Sequence, residues 1–128
     1  MSPAFLSDAT WVGLRCLIVD DNEEFLDSAS RLLCAQGLEV VGRASSGAEA
    51  LRLFRMLEPE VALVDVQLGE EDGLELTRRL AADERGTRII LISTHSEDEL
   101  TELIAASPAV GFLPKAALGA SAIADLLR

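Results

Sequence analysis

Cysteine, histidine and aromatic residues are scarce in this sequence of 128 residues. It contains two cysteines, one histidine and no tyrosine, and aromatic residues make up 4% of the chain. Cys16 and Cys34 form no Cys-x-x-Cys motif and no cluster with histidine, which argues against a zinc or redox centre. We therefore expect two reduced, largely buried thiols in a reducing compartment, because free cysteine is often buried.

Long hydrophobic runs are also missing. The longest apolar runs are CLIV, VALV and IILI, whereas a membrane-spanning helix needs roughly 18 or more apolar residues. The first residues, MSPAFLSDATWVG, contain neither the positive region nor the apolar region of a secretory signal. Both absences predict a cytoplasmic protein that does not contact the membrane.

Positive charge is in short supply. The chain has 22 acidic and 11 basic residues, which gives a formal net charge of -11. Such an acidic chain repels the phosphate backbone of nucleic acids, so we expect no direct nucleic-acid binding. The charge also favours a well-hydrated surface, but by itself it identifies no partner.

The sequence does contain a regular alternation of short aliphatic runs and amphipathic segments. The aliphatic runs predict five strands, at residues 16–19, 39–43, 61–64, 88–92 and 110–113. Apolar residues at helical spacing predict helices between Asn22 and Gly37 and at residues 47–57, 74–82, 98–106 and 117–128. The second strand is more polar than the others, so we place it at a sheet edge.

This alternation predicts an α/β fold. Right-handed crossovers would place the strands in one mostly parallel sheet with helices on both faces, which is a doubly wound (βα)5 architecture. The chain length fits one domain. We assign that domain to residues 14–128 and expect a flexible N-terminal segment at residues 1–13.

Polar side chains stand at the ends of the predicted strands. Asp20 and Asp21 follow the first strand, Asp65 follows the third, Ser93 closes the fourth, and Lys115 follows the fifth. Ligands of open parallel sheets bind beyond these carboxyl ends. A single aspartate there is often a helix cap, but two carboxylates about 4 Å apart repel by roughly 4 kcal/mol at an effective dielectric of 20. Three together indicate a cation, and Mg²⁺ prefers oxygen ligands of this kind together with phosphate.

Four segments carry a family resemblance. LIVDDN at residues 17–22, ALVDVQLGEEDG at 62–73, ILIST at 90–94 and GFLPK at 111–115 resemble, in order and spacing, the four signatures of response-regulator receiver domains. The resemblance covers residues 14–128, and the GFLPK ending is similar to receivers that precede LuxR/NarL-type DNA-binding domains. It implies a flavodoxin-like receiver fold with parallel strand order 2-1-3-4-5, in a bacterial two-component system.

The resemblance assigns chemical roles to the residues at the strand ends. Asp65 is implied to be the phosphoacceptor, served by a histidine kinase or a phosphotransfer protein. Mg²⁺ is the implied cofactor, held by Asp21, Asp65 and the backbone carbonyl of Gln67, with Asp20 as a water-mediated partner. Lys115 would pair with Asp65 before the reaction and with a phosphoryl oxygen afterwards. Self-phosphorylation from small donors and hydrolysis of its own acyl phosphate are the only catalysis implied.

The resemblance also implies a switch. Ser93 would move to bond a phosphoryl oxygen and Phe112 would rotate inward, which changes the face formed by the fourth helix, fifth strand and fifth helix. A downstream effector, an output domain or a second copy in a phosphorylation-induced homodimer would bind that face. Phe112 has another interpretation as a plain core residue. Gln67 and His95 match positions that set the hydrolysis rate, unless they are simply exposed loop residues.

Other functions compete with this one. A Mg²⁺-dependent phosphohydrolase would also use Asp65 as nucleophile, but enzymes of the haloacid-dehalogenase kind want a second acid two residues later, where this chain has Gln67. A flavin module needs a phosphate loop rich in Ser, Thr and Gly, and the acidic DDNEE loop argues against it. The intact set of aspartates, Ser93 and Lys115 argues against a degenerate receiver. A stand-alone receiver and the N-terminal part of a transcription factor both remain open.

Overall fold

The chain folds as alternating strands and helices in the computed structural model, which describes residues 11–83, 86–95 and 97–128. Residues 1–10 of the expected flexible segment lie outside these ranges. The strands of the main sheet are β1 (Arg15–Val19), β2 (Glu39–Ala44), β3 (Val61–Asp65), β4 (Arg88–Ser93) and β5 (Gly111–Pro114). The helices are α1 (Glu23–Ala35), α2 (Gly47–Leu57), α3 (Gly73–Ala81), α4 (Glu97–Ala105) and α5 (Ala120–Leu127). In the described ranges, none of the helices has both the length and the apolar character that a membrane crossing requires.

All neighbouring strands of the main sheet are parallel, in the order β2-β1-β3-β4-β5. This arrangement confirms the predicted doubly wound α/β architecture, the strand order and the edge position of β2. The strand ends are level with one another, because Val19 pairs with Val64 and Asp65 pairs with Ile92. The residues that follow β1, β3 and β4 therefore meet at one edge of the sheet.

A hydrophobic core lies on each face of the main sheet. One face packs against α2, α3 and α4, and the other packs against α1 and α5. Strand β3 shows the division, since Ala62 and Val64 face the first group of helices while Val61 and Leu63 face the second. All four side chains are buried. Burial on both faces explains why this strand is a continuous aliphatic run in the sequence.

Side chains cap the first turns of α1 and α2. Asn22 Oδ1 accepts a hydrogen bond from the Phe25 N–H, and Ser46 Oγ accepts one from the Glu49 N–H, each at 3.2 Å. These bonds satisfy N–H groups that have no partner within the helix. After α1, Gly37 adopts a φ of +102°, which side-chain-bearing residues avoid. The predicted cap at Asn22 and the predicted stop at Gly37 are therefore confirmed.

The start of the last helix differs from the prediction. Helix α5 begins at Ala120, because Lys115–Ala117 form a 3₁₀ turn and the two residues after it are extended. Gly119 precedes α5 and has no side chain to cap it. Instead, the Gln36 side chain, just after α1, accepts a hydrogen bond from the Ala120 N–H at 2.7 Å. This cap comes from a residue 84 positions away, so nothing local in the sequence indicates where the helix starts.

The prediction of two largely buried thiols is wrong for one of them. Cys16 is fully buried in β1, but Cys34 is exposed on α1. Leu33 points into the core, and the next residue along an α-helix is turned by about 100° from it. This rotation carries Cys34 to the solvent side. Burial raises the pKa of the Cys16 thiol to about 12, so this group stays protonated at neutral pH.

A short antiparallel hairpin follows β3, and the sequence did not predict it. Gln67 pairs with Asp72 and Leu68 pairs with Glu71. Gly69 opens the two-residue turn with a φ of +61°, a conformation that suits glycine in tight hairpin loops. Leu68 is buried and anchors the hairpin in the core. We call residues 67–72 the acidic hairpin, because its second half is Glu-Glu-Asp.

Candidate functional site

The carboxyl ends of the strands bring the predicted acidic residues together. Asp20 and Asp21 follow β1, and Asp65 is the last residue of β3. Each offers a carboxylate oxygen, and the three oxygens lie within 4.8 Å of one another. Asp20 and Asp65 are buried, whereas Asp21 is exposed. The grouping of these three aspartates, which we call the acidic trio, is therefore as the sequence predicted.

Lys115 lies between the two buried carboxylates. Its Nζ is 2.5 Å from Asp20 Oδ2 and 3.0 Å from Asp65 Oδ2. The ammonium also lies 4.4 Å from the centroid of the Phe25 ring, which is a cation–π contact. Sequence spacing indicates only an apolar helix position for Phe25. Its place beside Lys115 depends on packing between α1 and the end of β5, which no local pattern shows.

Local turns orient the two buried carboxylates. Asp20 Oδ1 accepts a hydrogen bond from the Asn22 N–H at 2.9 Å. Asp65 Oδ1 accepts one from the Gln67 N–H at 3.0 Å. In both residues the second oxygen is the one that contacts Lys115. Each aspartate thus uses one oxygen to fix its own orientation and presents the other to the shared site.

Burial and charge shift the proton affinities of this cluster. Removal from water raises the pKa of Asp65 above its ordinary value, and the negative charge of Asp20 adds to the rise. The Gln67 N–H and Lys115 act in the opposite direction without offsetting it. Burial alone would lower the pKa of Lys115, but bonds and charges from Asp20 and Asp65 outweigh it, so that pKa rises. Lys115 is consequently a fixed positive charge at neutral pH.

An open cavity of about 220 Å³ lies beside Asp65. It is lined by Asp21, Asp65, Gln67, Gly69, Ser93, Thr94 and His95. Ser93 Oγ accepts a hydrogen bond from the His95 N–H at 3.0 Å, and the His95 ring nitrogen Nδ1 lies 3.4 Å from the same oxygen. Five of the predicted site residues therefore share one cavity, and its volume can hold a group the size of phosphate.

Phe112 lies apart from that cavity. The side chain is 7% exposed and packs in the core on the face covered by α2, α3 and α4. In β5 it pairs with Leu91 of the neighbouring strand. An inward position is expected both for a plain core residue and for the inward state of a switch. The switch role of Phe112 therefore stays a prediction.

The donor set suits a small divalent cation. Carboxylate oxygens are hard ligands, and Mg²⁺ in proteins commonly uses one or two of them together with water and phosphate oxygens. Three carboxylates and one ammonium leave the cluster with an excess of two negative charges. Asp21, Asp65 and Gln67 line the same cavity. These residues would hold the ion, Gln67 through its backbone carbonyl.

Gly73 has a steric role at the point where the acidic hairpin leads into α3. A Cβ at this position would lie 1.8 Å from the backbone carbonyl oxygen of Asp65. The Gly73 N–H donates to the Val66 carbonyl at 2.9 Å, and Asp72 Oδ1 accepts from the Leu74 N–H at 2.9 Å. The first turn of α3 is thus packed directly on the backbone of Asp65. Only glycine permits this approach.

The chain is similar to a known protein family and to characterised proteins. The model of the response regulator receiver domain family matches residues 16–127. The response regulator GacA of Pseudomonas viridiflava is 34% identical over 105 residues, which cover 81% of this chain and 49% of that protein. The chain therefore spans about half the length of this curated relative.

Solved structures share the fold as well. The signal receiver domain of the response regulator NarL from Mycobacterium tuberculosis is 31% identical, with a TM-score of 0.79, and the match covers 89% of this chain and 95% of that one. A response regulator protein from Burkholderia pseudomallei, solved with a phosphorylated aspartic acid, a calcium ion and citrate, is 27% identical with a TM-score of 0.77. That match covers 89% of this chain and 66% of the other. These similarities confirm the resemblance carried by the four sequence motifs.

Proposed function

The chain belongs to the response regulator receiver domain family, and on that basis we propose that it is a phosphorylation-controlled receiver with Asp65 as its phosphoacceptor. The phosphoryl donor would be the phosphohistidine of a histidine kinase or of a phosphotransfer protein. The observation that carries the proposal is the position of Lys115, which bridges Asp20 and Asp65 beside an open cavity. A nucleophile, a fixed cation and a cluster of metal-ligating oxygens thus share one small volume.

Transfer to Asp65 needs little covalent assistance from other residues. A carboxylate oxygen of Asp65 forms a bond to phosphorus while the bond from phosphorus to the histidine nitrogen breaks, which leaves an acyl phosphate and free histidine. Positioning and charge neutralisation supply most of the catalysis in such transfers. Lys115 gives up its contact with Asp65 for a phosphoryl oxygen, and Asp20 keeps the ammonium in place.

Mg²⁺ is the cofactor that fits this site. Asp21, Asp65 and the Gln67 carbonyl would hold it, with Asp20 acting through water. When bound, the ion neutralises negative charge on the transferring phosphoryl group. The structure of the Burkholderia pseudomallei relative supports this assignment, because it combines a phosphorylated aspartic acid with a divalent calcium ion.

Phosphorylation would change the surroundings of Ser93. It adds a charge of about -1.5 to -2 and three strong acceptor oxygens. The Ser93 hydroxyl would donate to one of them in place of its contact with His95 Nδ1. This favours one of two pre-existing states, with Phe112 inward in the phosphorylated state. The face formed by α4, β5 and α5 would then bind an effector, an output domain or a second copy of the chain. Gln67 and His95 line the cavity that an attacking water must enter, so they would set the lifetime of the acyl phosphate.

Intact-protein mass spectrometry after incubation with phosphoramidate and Mg²⁺ tests the proposal. We expect a gain of one phosphoryl group that disappears in Asp65→Asn and when EDTA replaces Mg²⁺. Asp125→Asn, which alters an exposed aspartate of α5, is the matched control and should gain mass like the wild type. No gain in the wild type, or an equal gain in Asp65→Asn, would contradict the proposal. Multiple turnovers on small phosphate esters would favour a phosphohydrolase instead.

A further inference from the structure

Glu71 joins the acidic hairpin to helix α2. Its Oε2 accepts a hydrogen bond from the Gly47 N–H at 3.0 Å. Gly47 is the first residue of α2 and is buried. Its lack of a side chain permits the contact, because a Cβ at Gly47 would lie 2.7 Å from Glu71 Oε1. The carboxylate thus occupies the N-terminal end of a helix of 11 residues, where a negative charge is favoured.

The acidic hairpin also forms one wall of the candidate metal site. Gln67 and Gly69 line the cavity together with Asp21. A Cβ at Gly69 would lie 3.5 Å from Asp21 Oδ2, so the backbone of the turn lies against that carboxylate. Leu68 pairs with Glu71 across the hairpin. The strand that carries Gln67 is therefore paired directly with the strand that carries Glu71.

We propose that Glu71 is a positioning residue for Mg²⁺: its bond to Gly47 keeps the Gln67 carbonyl and the turn at Gly69 in place beside Asp21. This inference rests on the proposed function and deepens it, because Glu71 touches neither the ion nor the phosphoryl group. Contacts that orient metal ligands from outside are commonly worth about 10–100-fold in metal affinity. For one anchor acting through a hairpin we expect the lower end of that range.

Glu70 offers a matched control for Glu71. Both are exposed glutamates of the acidic hairpin, so replacing either with alanine removes one negative charge from the same region. The bond to Gly47 is made by Glu71. A comparison of the two variants therefore separates positioning from a general loss of negative charge near the cation.

Calorimetric titration of the full chain with Mg²⁺ tests the proposal. Glu71→Ala should raise the Mg²⁺ dissociation constant about tenfold, whereas Glu70→Ala should change it less than about twofold, since exposed charges are screened. Glu71→Gln should keep most of the affinity, because its amide oxygen still accepts from the Gly47 N–H. In phosphorylation by phosphoramidate, Glu71→Ala should raise the Mg²⁺ concentration for half-maximal rate and leave the rate at saturating Mg²⁺ unchanged.

Gly47→Ala tests the same contact from its other side and can be used even if Glu71→Ala does not fold. The added methyl group displaces Glu71 while alanine favours the helix, so Mg²⁺ affinity should fall by a similar factor without loss of thermal stability. Equal dissociation constants for Glu71→Ala and Glu70→Ala would overturn the positioning role and leave the proposed function intact. No Mg²⁺ uptake by the wild-type chain would overturn both.

Discussion

At the scale of single residues, Lys115 controls the electrostatics of the site. It is the only lysine in the sequence, and two buried carboxylates, of Asp20 and Asp65, share its ammonium. Burying a charge is costly unless an opposite charge and hydrogen bonds compensate it. Lys115 therefore stabilises the metal-free fold in addition to its proposed role in phosphoryl transfer.

Lys115→Met should destabilise the metal-free chain by about 3–5 kcal/mol, the usual cost of leaving a buried charge without its partner. Mg²⁺ should restore part of this loss, because it supplies positive charge to the same carboxylates. Urea unfolding in EDTA and in Mg²⁺ measures both effects. As a control, Arg128→Met removes the cation of an exposed pair with Asp125 and should cost less than about 1 kcal/mol. Equal losses in the two variants would rule out the bridging role.

Gly73→Ala should damage the site through the backbone of Asp65. The added methyl group cannot fit 1.8 Å from the Asp65 carbonyl oxygen, so β3 or α3 must shift, at a cost of about 1–3 kcal/mol as in overpacked cores. Phosphorylation by phosphoramidate should slow as well, because the nucleophile moves. At Gly119 the nearest atom to an added Cβ is 3.5 Å away, so Gly119→Ala makes no overlap and should cost less than about 1 kcal/mol, as expected for alanine at a helix N-cap. Equal unfolding temperatures for Gly73→Ala and Gly119→Ala would contradict this prediction.

At the scale of elements, helix α5 depends on α1 for its cap. Gln36→Ala removes the acceptor of the Ala120 N–H and should lower the free energy of unfolding by about 1 kcal/mol. Amide hydrogen exchange in the first turn of α5 should become faster. Exchange in β3 should change only as much as the lower global stability requires. Arg31→Ala alters an exposed ion pair of α1 and should leave α5 as it is. Unchanged exchange in Gln36→Ala would show that the cap does not hold the helix.

Strands and most helices of this chain could be predicted because their signals are local. Continuous aliphatic runs mark the strands, and side chains such as Asn22 and residues such as Gly37 mark helix ends within a few positions. The start of α5 could not be predicted, because Gln36 caps it from another helix. The acidic hairpin was missed for a related reason. Its anchor is the burial of Leu68 in the core, and a single apolar residue in a polar loop is too weak a signal for a strand.

At the scale of the whole molecule, Cys16 links stability to alkaline pH. Burial raises the pKa of its thiol from 9.0 to about 12. Above pH 9 the unfolded chain releases a proton that the folded chain keeps, so the free energy of unfolding falls as pH rises through this window, by up to about 1.4 kcal/mol per pH unit. Below pH 9 the contribution is fully present.

Urea unfolding between pH 8 and 10.5 measures how steeply the free energy of unfolding falls with pH because of Cys16. Lys115 lowers this free energy only above its ordinary pKa of 10.5. Cys16→Ala should flatten the slope while lowering stability at every pH through lost packing. Cys34→Ser removes the exposed thiol, which is only the smaller cause of the raised Cys16 pKa, so most of the slope should remain. The absence of tyrosine leaves few other groups to titrate in this range. Parallel curves for wild type and Cys16→Ala would contradict the assignment.

The grouping of the site could be predicted from topology, and its finer contacts could not. Parallel strands deliver their last residues to one edge, so the acidic trio, Ser93 and Lys115 could be placed together from the sequence. The cation–π partner Phe25 and the bond from Glu71 to Gly47 join elements distant in the sequence. In the sequence, Phe25 resembles an ordinary apolar helix position, and Glu71 resembles an ordinary residue of a charged loop.

Asp65 is the member of the acidic trio that we propose takes the phosphoryl group. Borohydride reduction after treatment with phosphoramidate and Mg²⁺ converts an acyl phosphate to homoserine, and peptide mass spectrometry then identifies the converted position. Lys115 contacts Asp20 and Asp65, and of these two only Asp65 lines the open cavity. We therefore predict Mg²⁺-dependent conversion at position 65 and unchanged aspartate at positions 20 and 21. Conversion at position 20 or 21, or a chain with no converted aspartate, would contradict it.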